Sequence, residues 1–490
     1  MAALAAAELE LKALLAAGVA PAQALMRRGA QLMRENRMPE AVARFRSATI
    51  LAPDDPAGWT NYGVALDRAN LPTEAVAALE HSLSLSQSQS DTWLLLGLTR
   101  AKQGLEESAE AAYRVVMEQE PGSALVWQCL GLLRESQKRY PEAMDCFLAA
   151  IERGGATAAL CANLGKLMHQ TGRIAESCRA YARAVALDPA NPRFREMLRN
   201  VNLLRDVLEG PSIDEAMAVY RASFGAEKAP QDKEMAELSH MAFSFLSGFG
   251  HREAAARIGK RHLELWPDSQ SMTYLMKAVS GDPAVDRSPA SYITEHFDAF
   301  ASGFDAQLVG ALGYDLPEKI AAAVRAVGPV GVLYDTIDAG CGTGLCGPSL
   351  RSCARTLTGV DLSPKMLERA ARRGLYDNLV CEDLTEFLAR SPARFDLLVA
   401  ADVMIYFGDL APPFQAAARA IRTGGLFAFS TEQLPGGTFQ ILLTGRFSHS
   451  AAYVRSLADA AFVEIACSET TIRLEATERV AGQVFVFRRR

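Results

Sequence analysis

The chain has 490 residues, a length at which two or three domains are expected. Its formal net charge is −6, and 57 acidic side chains outnumber 51 basic ones, which disfavours DNA or RNA as a partner because phosphate binding needs clustered lysine and arginine. No run of about 18 apolar residues occurs, so the sequence predicts no membrane span.

The cysteines indicate a reducing compartment. There are nine, an odd number, and no CxxC pair occurs among them, so we expect buried thiols in a cytoplasmic protein rather than a disulfide framework. Residues 1–21 are alanine-rich but carry Glu8, Glu10 and Lys12, which predicts a short N-terminal helix rather than a signal peptide.

A 34-residue repeat follows. Glycine recurs at 29, 63, 97, 131 and 165, and a large residue stands sixteen positions later each time, at 45, 79, 113, 147 and 181. This spacing predicts helical hairpins in which the glycine allows close approach of two helices and the large side chain fills the space between neighbouring hairpins. Since one hairpin cannot bury its own apolar face, five stacked hairpins are expected over residues 22–191.

This pattern resembles the tetratricopeptide repeat, with departures at Gln87, Gly155, Cys161 and Ser177. In that family the first helices line a groove that binds a protein or peptide. The corresponding positions are mostly not basic, so we expect an apolar or mixed groove that takes such a partner, the protein's own middle segment or a second copy. They are Met26, Ala30, Met33, Thr60, Val64, Asp67, Leu94, Leu98, Ala101, Gln128, Leu132, Glu135, Ala162, Lys166 and His169.

The middle of the chain reads as helical. Residues 192–280 are expected to contain a degenerate repeat that ends at Trp266-Pro267. Gly, Pro, Asp and Ser then concentrate in 281–289, which predicts a solvated linker and a domain boundary before residues 290–490.

Residues 290–490 begin with predicted helices and continue with short apolar runs. The runs are LYDTIDAG, RTLTGVDL, NLVCED, FDLLVAAD, LFAFSTE, FVEIACSE and QVFVFRR. Helical stretches separate the first five, and the last two lack a helix between them. The pattern predicts an α/β domain with a mainly parallel seven-stranded sheet and an antiparallel hairpin at one edge.

The first strand-to-helix turn is DAGCGTG (338–344), where three glycines permit a tight turn and let a ligand lie against the backbone. Acids end the next three strands. Asp361 can accept from the ribose hydroxyls of a nucleotide, Asp383 from an adenine amino group, and Asp402 faces the expected entry of a second substrate. Each acid alone is more often a solvated helix cap, but their occurrence at successive strand ends favours a shared binding site.

A literal GxGxxG at 342–347 raises a nicotinamide-dependent oxidoreductase as an alternative. However, Asp338 ahead of the glycines, an acid after the third strand and the terminal hairpin together resemble class I S-adenosylmethionine-dependent methyltransferases. The segments YITEHFDAFASGFDAQLVGALGY and TGRFSHSAAYV, behind a tetratricopeptide array, narrow the resemblance to bacterial repeat-containing members of that class.

The resemblance implies a Rossmann-like fold, S-adenosylmethionine as cofactor and a role for each matching residue. The turn, with Asp338, Gly340, Cys341, Gly342, Thr343 and Gly344, would hold the methionine portion. Asp361 would bind the ribose, Leu362 and Met366 would pack near the adenine, and Asp383 with Leu384 would meet the adenine edge.

The acceptor side offers several candidates for a general base. They are His449, Asp402, Tyr406, Glu432 and His296, although His449 could instead brace the helix that begins near Ser450. Tyr292, Phe297 and Phe304 could cover the cofactor or belong to the core. No Cys/His/Asp cluster has metal-ligand spacing, so no metal is expected.

Two functions remain open from sequence. One is an active methyltransferase whose repeats recruit a partner or substrate, with a peptide, a carrier-bound intermediate or a small metabolite as acceptor. The other is a repeat scaffold whose methyltransferase domain binds the cofactor without turnover.

Overall fold

The computed structural model describes residues 19–225, 229–305, 314–329, 331–475 and 478–490. The helix predicted over 1–21 therefore lies almost wholly outside the described residues. The chain forms two compact units, one of residues up to 169 with 176–198, and one of 170–175 with 199–490.

The repeat region consists of helices joined by short turns. Proline occupies the first turn of several of them, where its missing N–H costs no hydrogen bond. The helices are α1 Pro21–Arg34, α2 Met38–Leu51, α3 Pro56–Arg68, α4 Pro72–Leu85, α5 Ser90–Lys102, α6 Glu106–Gln119, α7 Ala124–Ser136, α8 Tyr140–Gly154, α9 Ala158–Gln170 and α10 Ile174–Leu187.

The repeated glycines lie against the large side chains sixteen residues later. A Cβ added to Gly97 would lie 2.4 Å from the Tyr113 ring, and one added to Gly131 would lie 2.6 Å from the Phe147 ring. The close approach at glycine is confirmed. The large residue packs against the glycine of its own hairpin, and Tyr113 also shares a buried cluster with Val126 and Cys129 of the next hairpin, so it lies between neighbouring hairpins as predicted.

Helices continue through the middle region. They are α11 Pro192–Glu209, α12 Ile213–Ala222, α13 Asp232–Gly248, α14 Arg252–Leu265 and α15 Gln270–Ser280. Helices α13 and α14 pack against each other, with Gly259 facing Phe243, and the degenerate repeat stays a prediction.

The segment predicted to be a solvated linker is partly built into the domain that follows. Gly408 N donates to Asp286 O at 2.6 Å, Ser288 N donates to Tyr406 O at 2.9 Å, and Arg287 forms an antiparallel bridge with Phe407. Residues 281–289 therefore do not separate two units in the structure. Their Gly, Pro and Asp content predicts local turns, but it does not show whether the backbone forms hydrogen bonds with distant residues.

The last part of the chain forms a nine-stranded sheet within the described residues. The strands are β1 Tyr334–Ala339, β2 Ala354–Asp361, β3 Asn378–Cys381, β4 Phe395–Ala400, β5 Ile421–Gln433, β6 Phe439–Ile441, β7 Phe447–His449, β8 Phe462–Glu475 and β9 Glu478–Arg489. The order is β3-β2-β1-β4-β5-β7-β6, and β9 pairs with β5 and with β8.

The parallel sheet and the antiparallel hairpin β8–β9 are confirmed. Strand β9 runs antiparallel to both neighbours and places the hairpin beside β5. The count of seven strands was too low, because β6 and β7 have three residues each, too few to show an alternating pattern.

Helices cover both faces of the sheet. They are α16 Ala290–Phe300, α17 Leu316–Val327, α18 Gly347–Arg351, α19 Pro364–Arg372, α20 Leu384–Ala389, α21 Ala411–Ala420 and α22 Ala451–Ala458. Phe414 and Phe427 belong to the core on one face, and Ile320 and Leu397 to the core on the other. Burial of both faces is what near-continuous apolar strands require.

Candidate functional site

The glycine turn follows β1 and is tied to β2. Gly340 N and Cys341 N both donate to Val360 O, at 2.8 and 3.0 Å. Gly340 has φ 68° and Gly342 has φ 54°, a backbone region that favours glycine. A Cβ on Gly340 would lie 2.5 Å from Val403, whereas one on Gly342 would meet only Phe304, at 4.0 Å. The turn therefore presents bare backbone toward open space at Gly342.

Asp361, at the end of β2, lies beside this turn. Its Oδ2 accepts from Gly342 N at 2.8 Å, and its Oδ1 accepts from Ser363 N at 2.9 Å. Burial raises the pKa of Asp361, and these backbone N–H groups oppose the rise. Each carboxylate oxygen has a second lone pair, so the group can still accept from a ligand.

One cavity of about 400 Å³ brings most of the predicted site residues together. Those on its wall are Gly340, Cys341, Gly342, Thr343, Asp361, Leu362, Met366, Asp383, Leu384, Asp402 and Tyr406. The wall also carries aromatic side chains, including His296, Phe297 and Phe304. Asp338, Gly344, Tyr292 and His449 do not line it.

Asp338 lies behind the glycine turn. It is 1% exposed, and its Oδ2 accepts from the Tyr376 hydroxyl at 2.6 Å. Burial raises the pKa of Asp338 to about 7, and the Tyr376 hydrogen bond partly opposes that shift. Gly344 also faces Tyr376, since a Cβ there would lie 2.9 Å from its ring. Both residues shape the turn from behind, and sequence reasoning missed Tyr376.

His449 occupies a structural position. Its side chain is fully buried, Nε2 is 3.1 Å from Gly408 O, and its ring stacks on Tyr453. Burial lowers its pKa to about 4. The cap of α22 comes from Ser450, whose hydroxyl accepts from Tyr453 N at 3.2 Å. Since His449 does not reach the cavity, its proposed role as a base is corrected to bracing the protein beside α22.

Tyr292 is likewise a packing residue. It is 5% exposed, and its ring lies 4.8 Å from Tyr274 and 5.8 Å from His296. Phe297, by contrast, lines the cavity and contacts Phe304 and Tyr406 edge to face, at 5.9 and 5.7 Å. The aromatic wall therefore begins at His296 and Phe297 and does not include Tyr292.

Asp383 is both a helix cap and part of the cavity wall. Its Oδ1 accepts from Thr385 N at 2.9 Å and from Glu386 N at 3.2 Å, while Oδ2 pairs with Arg287. The Arg287 guanidinium also lies 4.7 Å from the centre of the Phe407 ring. Arg287 is thus a residue of this site that comes from the supposed linker, where nothing in the local sequence singled it out.

A group of buried charged side chains, most of which line the cavity, is called here the ion cluster. Its members are Asp402, Glu432, Arg446, Arg473 and Glu475. Arg473 Nη1 donates to both carboxylate oxygens of Asp402, at 2.8 and 3.0 Å, and Nη2 pairs with Glu432. Arg446 Nε donates to Glu432 at 3.1 Å, and Nη2 pairs with Glu475.

Sequence reasoning singled out Asp402 and Glu432 but not the arginines or Glu475. Arg446 ends the turn between β6 and β7, and Arg473 lies near the end of β8, far along the chain from β4. One signal was present in the sequence, because Arg473 stands between two apolar residues, Ile472 and Leu474. In the structure its side chain is 5% exposed, and a buried guanidinium needs buried partners.

The cavity fits an adenosyl cofactor. A glycine turn with bare backbone at Gly342, an acid at the end of β2 and a second acid after β3 line this cavity, and its volume of about 400 Å³ lies within the range of small-molecule sites. These residues lie at the carboxyl ends of parallel strands, next to the first strand, where open α/β sheets bind ligands. Fold and site together define a methyltransferase-type α/β domain.

Comparisons with known proteins agree with that class. Residues 337–429 match the family described as a methyltransferase domain, and residues 158–191 match the tetratricopeptide repeat. The chain therefore carries a methyltransferase domain over 337–429 and a tetratricopeptide repeat over 158–191.

Individual relatives cover only parts of the chain. The ubiquinone biosynthesis O-methyltransferase of Paracidovorax citrulli is 32% identical over 114 residues, which are 22% of this chain and 48% of the relative. The chain thus spans about half the length of the curated relatives it matches.

Solved structures are similar over each part. The Burkholderia thailandensis 1,6-didemethyltoxoflavin-N1-methyltransferase, solved with S-adenosylhomocysteine, is 20% identical, covers 42% of this chain and 92% of its own, and has a TM-score of 0.34. A thermophilic tetratricopeptide protein of Thermus thermophilus is 19% identical, covers 37% of this chain and 98% of its own, and has a TM-score of 0.32.

The described residues lack two kinds of feature. No helix among them is both long and apolar enough to cross a bilayer. Within the same residues, no group of three or more His, Cys, Asp or Glu side chains is arranged to hold a metal ion.

Proposed function

We propose that the chain transfers the methyl group of S-adenosylmethionine to an acceptor in the 400 Å³ cavity. The observation that carries this proposal is the contact of 2.8 Å between Gly342 N and Asp361 Oδ2 on the cavity wall. It supports a site in which the glycine turn and the ribose-binding acid lie side by side and contact adjacent parts of a single ligand.

Each wall residue has a role in this proposal. The methionine portion lies against the bare backbone of the turn at Gly342, and Asp361 accepts from the ribose hydroxyls. Leu362, Met366 and Leu384 give apolar contacts to the adenine. Asp383 retains capacity to accept from the adenine amino group beside its bond to Arg287.

The bound cofactor would supply a methyl group that is already activated for transfer. The protein therefore chiefly aligns the acceptor and excludes water, which is catalysis by positioning. Asp402 and Tyr406 lie on the acceptor side of the cavity wall. Asp402 is held by both oxygens to Arg473, which fixes it in place.

The repeats are proposed to recruit a protein or peptide that is the substrate or carries it. The charged groove positions are paired: Asp67 pairs with Lys102 of the next first helix at 2.6 Å, and Lys166 pairs with Glu135. This leaves apolar positions such as Leu132, which is 42% exposed, as contacts for a partner. Self-association through the same positions remains the alternative.

Calorimetry of the full chain with S-adenosylmethionine and S-adenosylhomocysteine tests the cofactor assignment, and we expect both to bind. Incubation of labelled cofactor with a lysate then tests turnover, and we expect label in a specific product. Absence of binding would refute the proposal. Tight binding without any labelled product would instead support a repeat scaffold with an inactive domain.

A further inference from the structure

Part of the cavity wall consists of aromatic side chains and members of the ion cluster, and we call this part the acceptor end. His296, Phe297 and Phe300 line it from α16 and Tyr406 from the loop after β4, while Asp402, Arg446, Arg473 and Glu475 line it from the sheet side. Aromatic faces together with carboxylates are the surroundings that organic cations prefer in proteins.

The ion cluster has one more acid than base. Among the described residues, three carboxylates (Asp402, Glu432 and Glu475) face two guanidiniums (Arg446 and Arg473), which leaves one net negative charge when all are ionised. Burial and the nearby Arg446 lower the pKa of His296 to about 4, so at neutral pH it adds no positive charge.

A fixed negative charge favours a reaction that keeps one positive charge at the site. Methylation of a neutral amine keeps one positive charge at the site, because the charge leaves the donor sulfur and arises on the acceptor nitrogen. A hydroxyl acceptor that reacts as its anion would leave no cation, and the excess carboxylate would be buried without a counter-charge, which is costly.

We propose that the acceptor of this cavity is a basic amine carried on an apolar body, and this inference rests on the proposed function. The free amine enters after releasing its proton to solvent. Its nitrogen lone pair then forms the bond to the methyl carbon while the methyl–sulfur bond breaks with its electron pair left on sulfur. The products are a methylammonium ion, which the ion cluster stabilises, and a neutral thioether.

The hydrogen bonds of the cluster support this choice. A hydroxyl acceptor needs a nearby base, but Asp402 accepts twice from Arg473, and Glu432 and Glu475 each pair with both arginines. His449 does not reach the cavity. An amine that enters as the free base needs none of these groups to remove a proton.

Binding of three probes tests the inference without turnover. The full chain is saturated with S-adenosylhomocysteine, which lacks the positive sulfur, and titrated at neutral pH with phenethylamine, phenethyl alcohol and phenylacetate. We expect the amine, then a cation, to bind about tenfold more tightly than the alcohol and phenylacetate to bind most weakly. Equal or weaker binding of the amine, or no binding of it at all, would overturn the inference.

Three variants identify the origin of the preference. Glu475→Gln removes the excess charge and should reduce the amine preference to about twofold or less. Glu475→Asp keeps the charge and should retain the preference. Glu469→Gln, an exposed change on the same strand, should have no effect because surface charges are screened. Persistence of the preference in Glu475→Gln would also overturn the inference.

The proposed function and this inference fail differently. If S-adenosylhomocysteine does not bind the unmodified chain, the proposed function fails and the inference with it. If it binds and the amine is not preferred, only the inference fails.

Discussion

Replacing Arg473 by leucine removes the central cation of the ion cluster. Arg473 is 5% exposed and pairs with Asp402 and Glu432, and the pair with Asp402 uses both carboxylate oxygens. Removing one partner of a buried ion pair costs about 3–5 kcal/mol because the other is left unpaired in a low-dielectric site. For a unit of this size, the melting temperature should fall by roughly 6–20 °C at neutral pH.

The loss of stability in Arg473→Leu should also depend on pH. Burial raises the pKa of Asp402, and Arg473 opposes that rise. Without Arg473 the pKa of Asp402 in the folded state increases further above its unfolded value. Folding of the variant then takes up protons, so its stability falls as pH rises from about 4 toward the raised folded pKa. The deficit relative to the unmodified chain should therefore be smaller near pH 5 than near pH 7.

Scanning calorimetry of the full chain at both pH values measures these effects. Arg455→Leu is the matched control, because Arg455 is 51% exposed and its pair with Glu464 at 2.7 Å lies at the surface. Exposed pairs contribute about 0–1 kcal/mol. If Arg473→Leu lowered the melting temperature no more than Arg455→Leu does, the argument for a tightly coupled buried cluster would be refuted.

Three further predictions follow from the site and the repeats. Asp361→Ala should weaken S-adenosylhomocysteine binding by about 3 kcal/mol, or more than 100-fold by calorimetry, through loss of two charge-assisted hydrogen bonds. Asp338→Asn should gain stability relative to the unmodified chain as pH rises from about 4 to 7 in thermal melts, because the pKa of Asp338 is raised to about 7. Gly97→Ala should destabilise the repeats by about 1–3 kcal/mol in calorimetric scans, because its Cβ would lie 2.4 Å from Tyr113.

Each of these has a control or a contrary outcome. Glu368→Gln, which removes a surface carboxylate that is 64% exposed, should leave cofactor affinity unchanged. Unchanged affinity in Asp361→Ala would contradict the ribose assignment. A constant stability difference between Asp338→Asn and the unmodified chain across that pH range would contradict the raised pKa. Gly122→Ala adds a Cβ that meets nothing within 4 Å, so a loss equal to that of Gly97→Ala would contradict the packing argument.

Much of the architecture could be predicted from the sequence because its signals are local and periodic. The 34-residue spacing predicted the helical hairpins, and the seven apolar runs are all strands in the structure. The glycine turn and Asp361 were assigned together because a strand end and the next strand end must lie at the same sheet edge. Residues 340–343 and 361 do line one cavity.

The acceptor end was decided only by tertiary structure. Arg446 meets Glu432 because β7 pairs with β5, and Arg473 meets Asp402 because β9 pairs with β5 and β8 pairs with β9. The local pattern around His449 suggested a base, yet its side chain turns to a backbone carbonyl away from the cavity. The periodicity of apolar residues indicates which face of its own helix or strand a residue occupies. Its contacts with other elements depend on how the strands pair across the whole sheet. The methyltransferase class could therefore be predicted from the sequence, while the charge that faces the acceptor could not.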